Sequence, residues 1–579
     1  MSSDEGTGDG NAADAGLLTG VSTFKTGHTP PGMARFLRRH LVYRVSLCVL
    51  VLVVAVLVLA LVFALSTCRR SPATSTPAQG SSSSLPPLDG WAGEMRASAL
   101  ESSLRKLMDI AVANGGNRAA GTAGYNASLT WIKSELEQLP GLNNVVVQPF
   151  TIDSYRKSGP GRMALWAHAS GKDILTFAES EEYSVMTYSA NGQIVDGKVW
   201  AVPGDGFGCT ADAYTGMSDS AGGRDVVALV RRGECAFRNK AEAAKANGAA
   251  AVVVYNQGDS AGRMGVFGGT LGGPVGVPVV AIANAPGEMI AALTESSPDA
   301  LSMDLSIAME PVTIYTANVM ADTVWGSDES IIVVGSHLDS VEAGPGINDN
   351  GSGTSLNLEL ARAVSRRGPP ASGAQSKIRF AWWGGEELGL RGSRAYVESL
   401  SDADAARISF NANCDMAGSL NGFLGVYDAA SADNQETGRP SSYIQAQFVE
   451  FFDSRRLAYH LSPFTGRSDY GPFLERGIPA GGGDTGSDEI IDDELRAQFG
   501  SSVGVQADTC YHKSCDTLDN VNLDTMLNLA QAFGHVIEKL AAEDIATLRA
   551  QLERPATLPQ SSSRHLFPRW IHGVQQHET

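Results

Sequence analysis

IIVVGSHLDSVEAGPGINDNGSGT, residues 331–354, joins an unbroken apolar run to a loop dense in polar groups. Ile331 to Val334 read as a strand buried on both faces, since a half-exposed strand would alternate apolar with polar residues. The strand delivers His337 at its carboxyl end, and the loop that follows carries Asp339 and Asp349. A helix is expected over Thr354–Arg366. The same unit recurs downstream. KIRFAWW, residues 377–383, is a second strand, after which a Gly-Gly turn exposes the adjacent acids Glu386 and Glu387. Residues 406–416 form a third, ending in Asn-Cys-Asp415-Met. Cys510-Tyr511-His512-Lys-Ser-Cys515 places one more histidine in a loop that two cysteines are able to pin.

Strand–loop–helix units in series predict an α/β fold with a mixed central sheet between helices, and such sheets bind and react at the carboxyl ends of their strands. Taken singly, a histidine at a strand end is more often structural, and a Glu-Glu pair is usually a solvated turn. Two histidines and three carboxylates on three successive units and one loop form a set. They are nitrogen and oxygen ligands suited to a pair of zinc ions, one carboxylate bridging if the metals lie about 3.5–4 Å apart. Hydrolysis at such a centre also needs a base that is not itself held by metal, so the two adjacent glutamates are able to divide the labour.

The rest of the chain frames this unit. Its 579 residues suggest about three domains at roughly 150 residues each. With 44 Lys+Arg against 63 Asp+Glu, the net charge of −19 argues against nucleic acid as a partner, which needs clustered basic residues. Hydrophobic residues at 43% and charged residues at 18% are those of a folded protein. Helix-spaced apolar residues cover Ser98–Ala113 and Ser128–Leu139, and NVVVQPF after them is extended. Residues 175–310 alternate short β-rich runs with Gly-rich turns, around one helix over Lys240–Asn247. Two patterns there and beyond are discounted. Gly258-Asp-Ser260-Ala-Gly262 has the form of a nucleophile elbow but lacks the helix that must follow it. Gly481-Gly-Gly483-Asp-Thr-Gly486 has the glycine spacing of a dinucleotide site without a surrounding βαβ unit, and reads as a loop.

Gly208-Cys209, ALVRRGECAF with Cys235, and KAEAAKANGAAAVVVYN together resemble a protease-associated (PA) domain. That resemblance implies a Cys209–Cys235 disulfide. HLDS, GPGINDNGSG, WWGGEELGLRGS, NCDMAG, GRSDYGPF and CYHKSCDT, in this order, resemble the double-zinc aminopeptidases of the bacterial secreted type. With the PA insert the arrangement is similar to vacuolar aminopeptidase Y, over about residues 90–545. The resemblance implies the zinc exopeptidase fold and two zinc ions. His337, Asp349 and Asp415 would hold one ion, and Asp349, Glu387 and His512 the other, or a permutation, with Asp349 as the bridge. Asp339 would support the His337 imidazole through its carboxylate. Glu386 would be the general base, Tyr511 the donor to the oxyanion, and Arg467 the residue holding the substrate backbone. The substrates implied are peptides with a free amino terminus. Position 350 is Asn where the family pattern often has a second Asp. Chains of similar layout include a carboxypeptidase of the glutamate carboxypeptidase type and a non-catalytic receptor, which are the alternative readings. The receptor predicts missing ligands, and all five are present.

Val45–Leu65 is apolar except for Ser46 and is long enough to span about 30 Å of bilayer hydrocarbon. Arg35, Arg38, Arg39 and Arg44 precede it, whereas only Arg69 and Arg70 follow closely, so the amino terminus is expected in the cytosol. The expected order is a cytosolic tail (1–44), a transmembrane helix (45–66), a stalk (67–89), the first part of the peptidase (90–170), the PA domain (171–311), the remaining peptidase (312–545) and a flexible tail (546–579). This is a single-pass type II membrane protein, its catalytic part lumenal or extracellular, in a vacuole or lysosome or at the cell surface. An oxidising side permits a Cys510–Cys515 disulfide as well. Asn126-Ala-Ser128 is the expected glycan acceptor, and Asn350-Gly-Ser352, beside the bridging aspartate, is expected unmodified.

Overall fold

The computed structural model describes residues 87–259, 263–432 and 435–553. Six strands build the first sheet: β1 (Leu142–Lys157), β2 (Met309–Thr323), β3 (Ser327–His337), β4 (Ser376–Trp383), β5 (Ile408–Cys414) and β6 (Ala480–Gly483), in the order β1-β2-β4-β3-β5-β6. β3 runs parallel to β4 and β5, and β5 parallel to β6, whereas β2 is antiparallel to β1 and β4. The apolar run of β3 is buried on both sides, as its composition requires. Ile332 and Val334 face one core with the helices Ala97–Ala113, Gly351–Arg367 and Leu523–Ala542. Ile331 and Val333 face the other with Tyr396, Val397 and Phe473. Each fully buried branched side chain contributes about 1.5–3 kcal/mol. The helix expected at Thr354 starts three residues earlier, at Gly351, because the Asn350 side chain accepts from the Gly353 N–H and caps it.

A second sheet of eight strands runs in the order Lys172–Phe177, Arg162–Ala167, Leu301–Ile307, Gly192–Ala201, Val226–Arg231, Ala249–Tyr255, Val279–Ile282 and Tyr183–Val185. Four consecutive strands in its middle are parallel, and the helices Phe237–Ala246 and Asn284–Ser296 pack against it, so the insert is itself partly α/β. Arg162–Ala167, placed by the sequence reading in the 90–170 peptidase segment, pairs with Leu301–Ile307 in this second sheet. The pairing closes the insert at the point where the chain leaves β1 and re-enters β2.

Three further expectations are corrected. Gly481–Gly483, read as loop, belong to β6 and pair with Ala412–Cys414. The glycines are there for close approach: a Cβ on Gly482 would meet the Asn413 carbonyl oxygen at 2.1 Å, and one on Gly483 the Gly425 oxygen at 2.2 Å. The expected tail contains the helix Ile545–Gln551, with Leu548 and Leu552 buried in the core. The stalk ends against the peptidase, where Leu88 packs on the core. The expected cytosolic tail, the transmembrane helix 45–66, most of the stalk and the residues after 553 lie outside the described residues. No described helix is long and apolar enough to cross a membrane.

Candidate metal centre and active site

The ends of the parallel strands converge. His337 closes β3; Asp349 follows in the loop before the helix Gly351–Arg367; Glu386 and Glu387 follow β4; Asp415 follows β5. Two triads result, His337 with Asp349 and Asp415, and Asp349 with Glu387 and His512. Asp349 belongs to both. Its Oδ1 lies 3.3 Å from His337 Nε2 and its Oδ2 3.2 Å from His512 Nε2. Asp415 Oδ1 is 3.2 Å from His337 Nε2, and Glu387 Oε2 is 3.1 Å from His512 Nε2. Glu386 enters neither triad, and its Oε2 stands 3.9 Å from His337 Nε2.

The second layer differs from the expectation at one residue. The oxygen nearest His337 Nδ1 is the backbone carbonyl of Asp339, at 3.1 Å, while the Asp339 carboxylate lies 3.7 Å away. That carboxylate accepts instead from the backbone N–H groups of Glu386 and Glu387, at 3.2 and 3.3 Å. Asp339 therefore fixes the turn that presents the two glutamates. Other supports carry no legible motif. Arg118, fully buried, donates to the carbonyls of Leu338, Pro345 and Gly346 and so ties together the loop between His337 and Asp349. Asp516 accepts from the backbone N–H of Asn348 and Asp349, and Ser468 donates to Asp415 at 2.6 Å. Only the GRSDYGPF and CYHKSCDT strings hinted at Ser468 and Asp516; nothing in the sequence singled out Arg118.

Burial and like charge dominate the electrostatics. Burial, reinforced by Glu387 and Asp415, holds the Glu386 carboxyl well above the ordinary range. Burial likewise raises Glu387, and it lifts Asp339 to about 6. Burial opposes charge on the imidazoles, but Asp415 and Glu386 outweigh it at His337, while Glu387 and Asp349 push His512 up to about 10. So many acids in one enclosed place call for cations. The donor set fits metal of the zinc kind: imidazole nitrogens and carboxylate oxygens, with ligand atoms within 4.8 Å of one another in each triad. Glu387 Oε1 is also buried without a partner, as a ligand atom awaiting its ion would be.

His512 sits at φ +57 in a turn closed by the Cys510–Cys515 disulfide. Tyr511 stacks on its ring at 3.8 Å, and the Tyr511 hydroxyl accepts from Arg467 at 3.2 Å. Arg467 also donates to Asp488 at 3.0 Å, and Asp488 accepts in turn from Arg232 of the insert, at 3.0 Å. Tyr188 of the insert donates to the Leu388 carbonyl, next to the Glu386–Glu387 turn. Insert and peptidase thus wall one cavity of about 580 Å³ over the triads. The insert also contains the Cys209–Cys235 disulfide. Asn126 is exposed on the helix Ala123–Glu137, whereas Asn350 is buried with its side-chain amide donating to the Cys414 carbonyl, which leaves no room for a glycan. Ser260, of the discounted elbow, lies outside the described residues.

A sheet with paired histidine–carboxylate triads at its strand ends, roofed by a second domain, defines a metal-dependent hydrolase. Peptidase family M28 matches residues 318–537, and the PA domain matches residues 191–290. An aminopeptidase of Pseudomonas aeruginosa is 33% identical over 492 residues, covering 83% of this chain and 88% of that protein. Leucine aminopeptidase 2 of Arthroderma otae is 32% identical, over 83% of this chain and 90% of its own. Among solved structures, the aminopeptidase from Aneurinibacillus sp. strain AM-1 is 26% identical with a TM-score of 0.58, covering 77% of this chain and 94% of that one. BSAP, a zinc aminopeptidase from Bacillus subtilis, is 26% identical with a TM-score of 0.56, covering 84% and 99%. The chain belongs to peptidase family M28, the double-zinc aminopeptidases, with an inserted PA domain. It is a metal-dependent hydrolase of the exopeptidase class.

Proposed function

We propose that this protein is a membrane-anchored aminopeptidase that releases single residues from the amino end of peptides, with Glu386 as general base. The observation that carries the reading is the division of labour between the adjacent glutamates: Glu387 lies in a triad, while Glu386 is free of both and faces the same cavity. Two zinc ions held by the triads, with Asp349 shared, would lower the pKa of water toward 7 and polarise the scissile carbonyl. The protein's own groups do the rest. As the water oxygen bonds to the carbonyl carbon, Glu386 takes its proton, and it returns that proton to the leaving amine as the C–N bond breaks. The Tyr511 hydroxyl, oriented by Arg467, donates to the oxygen on which negative charge develops. The acidic groups around the cavity, Asp415 and Glu386 among them, favour an ammonium beside the scissile bond and disfavour a terminal carboxylate. A carboxypeptidase would need a free cation for that carboxylate, but Arg467 and Arg232 both bind Asp488.

The charge asymmetry around Val45–Leu65 supports a type II topology, and the exposure of Asn126 supports a glycan there, on the lumenal or extracellular side. The test is a panel of aminoacyl-coumarins, acetylated peptides and carboxyl-amidated peptides, run with and without chelator. Amino-terminal acetylation should abolish cleavage, amidation should change little, and chelator should silence the enzyme. Cleavage of acetylated peptides from the carboxyl end would overturn the reading. An Asn126 shielded from glycosylation in microsomes would overturn the topology.

A further inference from the structure

β5 and β6 are paired with Cys414 opposite Gly483, so the residues that follow, Asp415 and Asp484, leave the sheet side by side. Asp415 turns to His337 and Ser468. Asp484 does not join either triad. Its Oδ1 accepts from Ser462 Oγ at 2.9 Å and from the Gly486 N–H at 3.2 Å. Its Oδ2 has no hydrogen-bond partner, and the carboxylate has no Lys, Arg or His in ion-pair contact, among the described residues. Of the other acids at this end of the cavity, Asp415 pairs with His337 and Asp488 with Arg232 and Arg467, whereas the exposed Glu489 accepts from Ser487. Asp484 is partly accessible from the cavity, beside the buried Met416, Tyr427 and Tyr470. The result is an aromatic-walled pocket, one strand away from a metal-ligand position, with an uncompensated carboxylate in its lining.

We propose that Asp484 sets the side-chain specificity of the enzyme, selecting substrates whose amino-terminal residue is lysine or arginine. The inference rests on the aminopeptidase reading above and deepens it. The backbones of Asp415 and Asp484 leave neighbouring strands about 4.8 Å apart, an offset that the four-carbon stem of a lysine held with its carbonyl at the triads is long enough to cross. The stem packs against Met416 and the tyrosines, and the cation meets the free Oδ2 in a charge-assisted hydrogen bond. An apolar side chain of the same length would strip water from that carboxylate and leave it unpaired. Such a site therefore rejects the apolar analogue more strongly than it would a mere change of one methylene.

The test compares lysyl-, arginyl-, norleucyl- and leucyl-coumarins on the full-length, zinc-loaded chain. The expected kcat/KM ratio of lysine to norleucine is about ten or more. Asp484→Asn should lower that ratio at least about ten-fold, Asp484→Leu should invert it, and Asp484→Glu should keep lysine ahead. Norleucine cleaved as well as lysine by the wild type would overturn the inference while leaving the aminopeptidase reading intact. So would an unchanged ratio in Asp484→Leu. Should Asp484→Asn fail to fold, the wild-type ratio and the Asp484→Glu variant still decide. Cleavage of none of the four substrates, with carboxyl-terminal cleavage of acetylated peptides instead, would overturn the aminopeptidase reading itself.

Discussion

Two glutamates adjacent in the chain and different in surroundings give the sharpest prediction at the residue scale. Replacing His337 or Asp349 removes a ligand of the first triad or of both, so bound zinc should fall when assayed by metal analysis. Glu386→Gln should keep its zinc and lose about 10²–10⁴ in kcat, the usual contribution of a general base. Near-normal kcat in that variant would transfer the role to another acid. A second residue prediction concerns Lys240 of the insert, whose ammonium donates to the carbonyls of Phe207 and Gly233 at 2.6 and 2.7 Å. Burial lowers its pKa from 10.5 to about 8. Between those values the unfolded chain binds the proton more tightly than the folded one, so the stability of the insert should rise as pH climbs from about 8 and stay level below it. Amide exchange in the helix Phe237–Ala246 measures this, and Lys240→Met should flatten the slope.

At the scale of elements, the loop bearing His512 is held by the Cys510–Cys515 disulfide and by stacking on Tyr511, whereas His337 is held by a strand. The difference shows in exposure, 35% for the His512 side chain against 1% for His337. Cys510→Ser should therefore weaken the triad of Asp349, Glu387 and His512 selectively. Metal analysis should read close to one ion per chain rather than two, with the pair of His337 and Asp415 still loaded. Full loss of both ions would mean that the loop supports the whole centre. β3 was legible because a strand buried on both faces needs an unbroken apolar run; β4 and β5, interrupted by Lys377 and Arg379 and by Ser409, Asn411 and Asn413, were legible from the acids that end them. β6 was not. Its glycines leave no hydrophobic signal, since their purpose is the close approach of Asn413 and Gly425 backbone, which exists only once the sheet has formed.

For the whole molecule, the insert reaches the Tyr511 hydroxyl through a chain of contacts, Arg232 to Asp488 to Arg467 to Tyr511. Burial works against Asp488, but Arg467 and Arg232 overcome it and keep the carboxyl well below the usual range. Asp488→Asn should loosen Arg467 and Tyr511 together. The expected outcome is a fall in kcat larger than any rise in KM, with zinc content unchanged; a change confined to KM would restrict the pair to substrate binding.

The sequence alone determined which residues stand at strand ends, because a buried parallel strand, its turn and its helix are written in consecutive residues. It therefore named His337, Asp349, Glu386, Glu387 and Asp415, and the flanking Cys510 and Cys515 singled out His512. Only the tertiary structure decided which carbonyl meets the His337 ring, that the Asp339 carboxylate steadies the glutamate turn instead, and that Arg118 ties the loop between His337 and Asp349. It also decided that strand Arg162–Ala167 belongs to the insert, and that Asp484 emerges beside Asp415. Apart from the contact of His337 with the Asp339 carbonyl, two residues on, each of these is a pairing across more than forty residues, fixed by strand register and by the need of buried polar groups for partners.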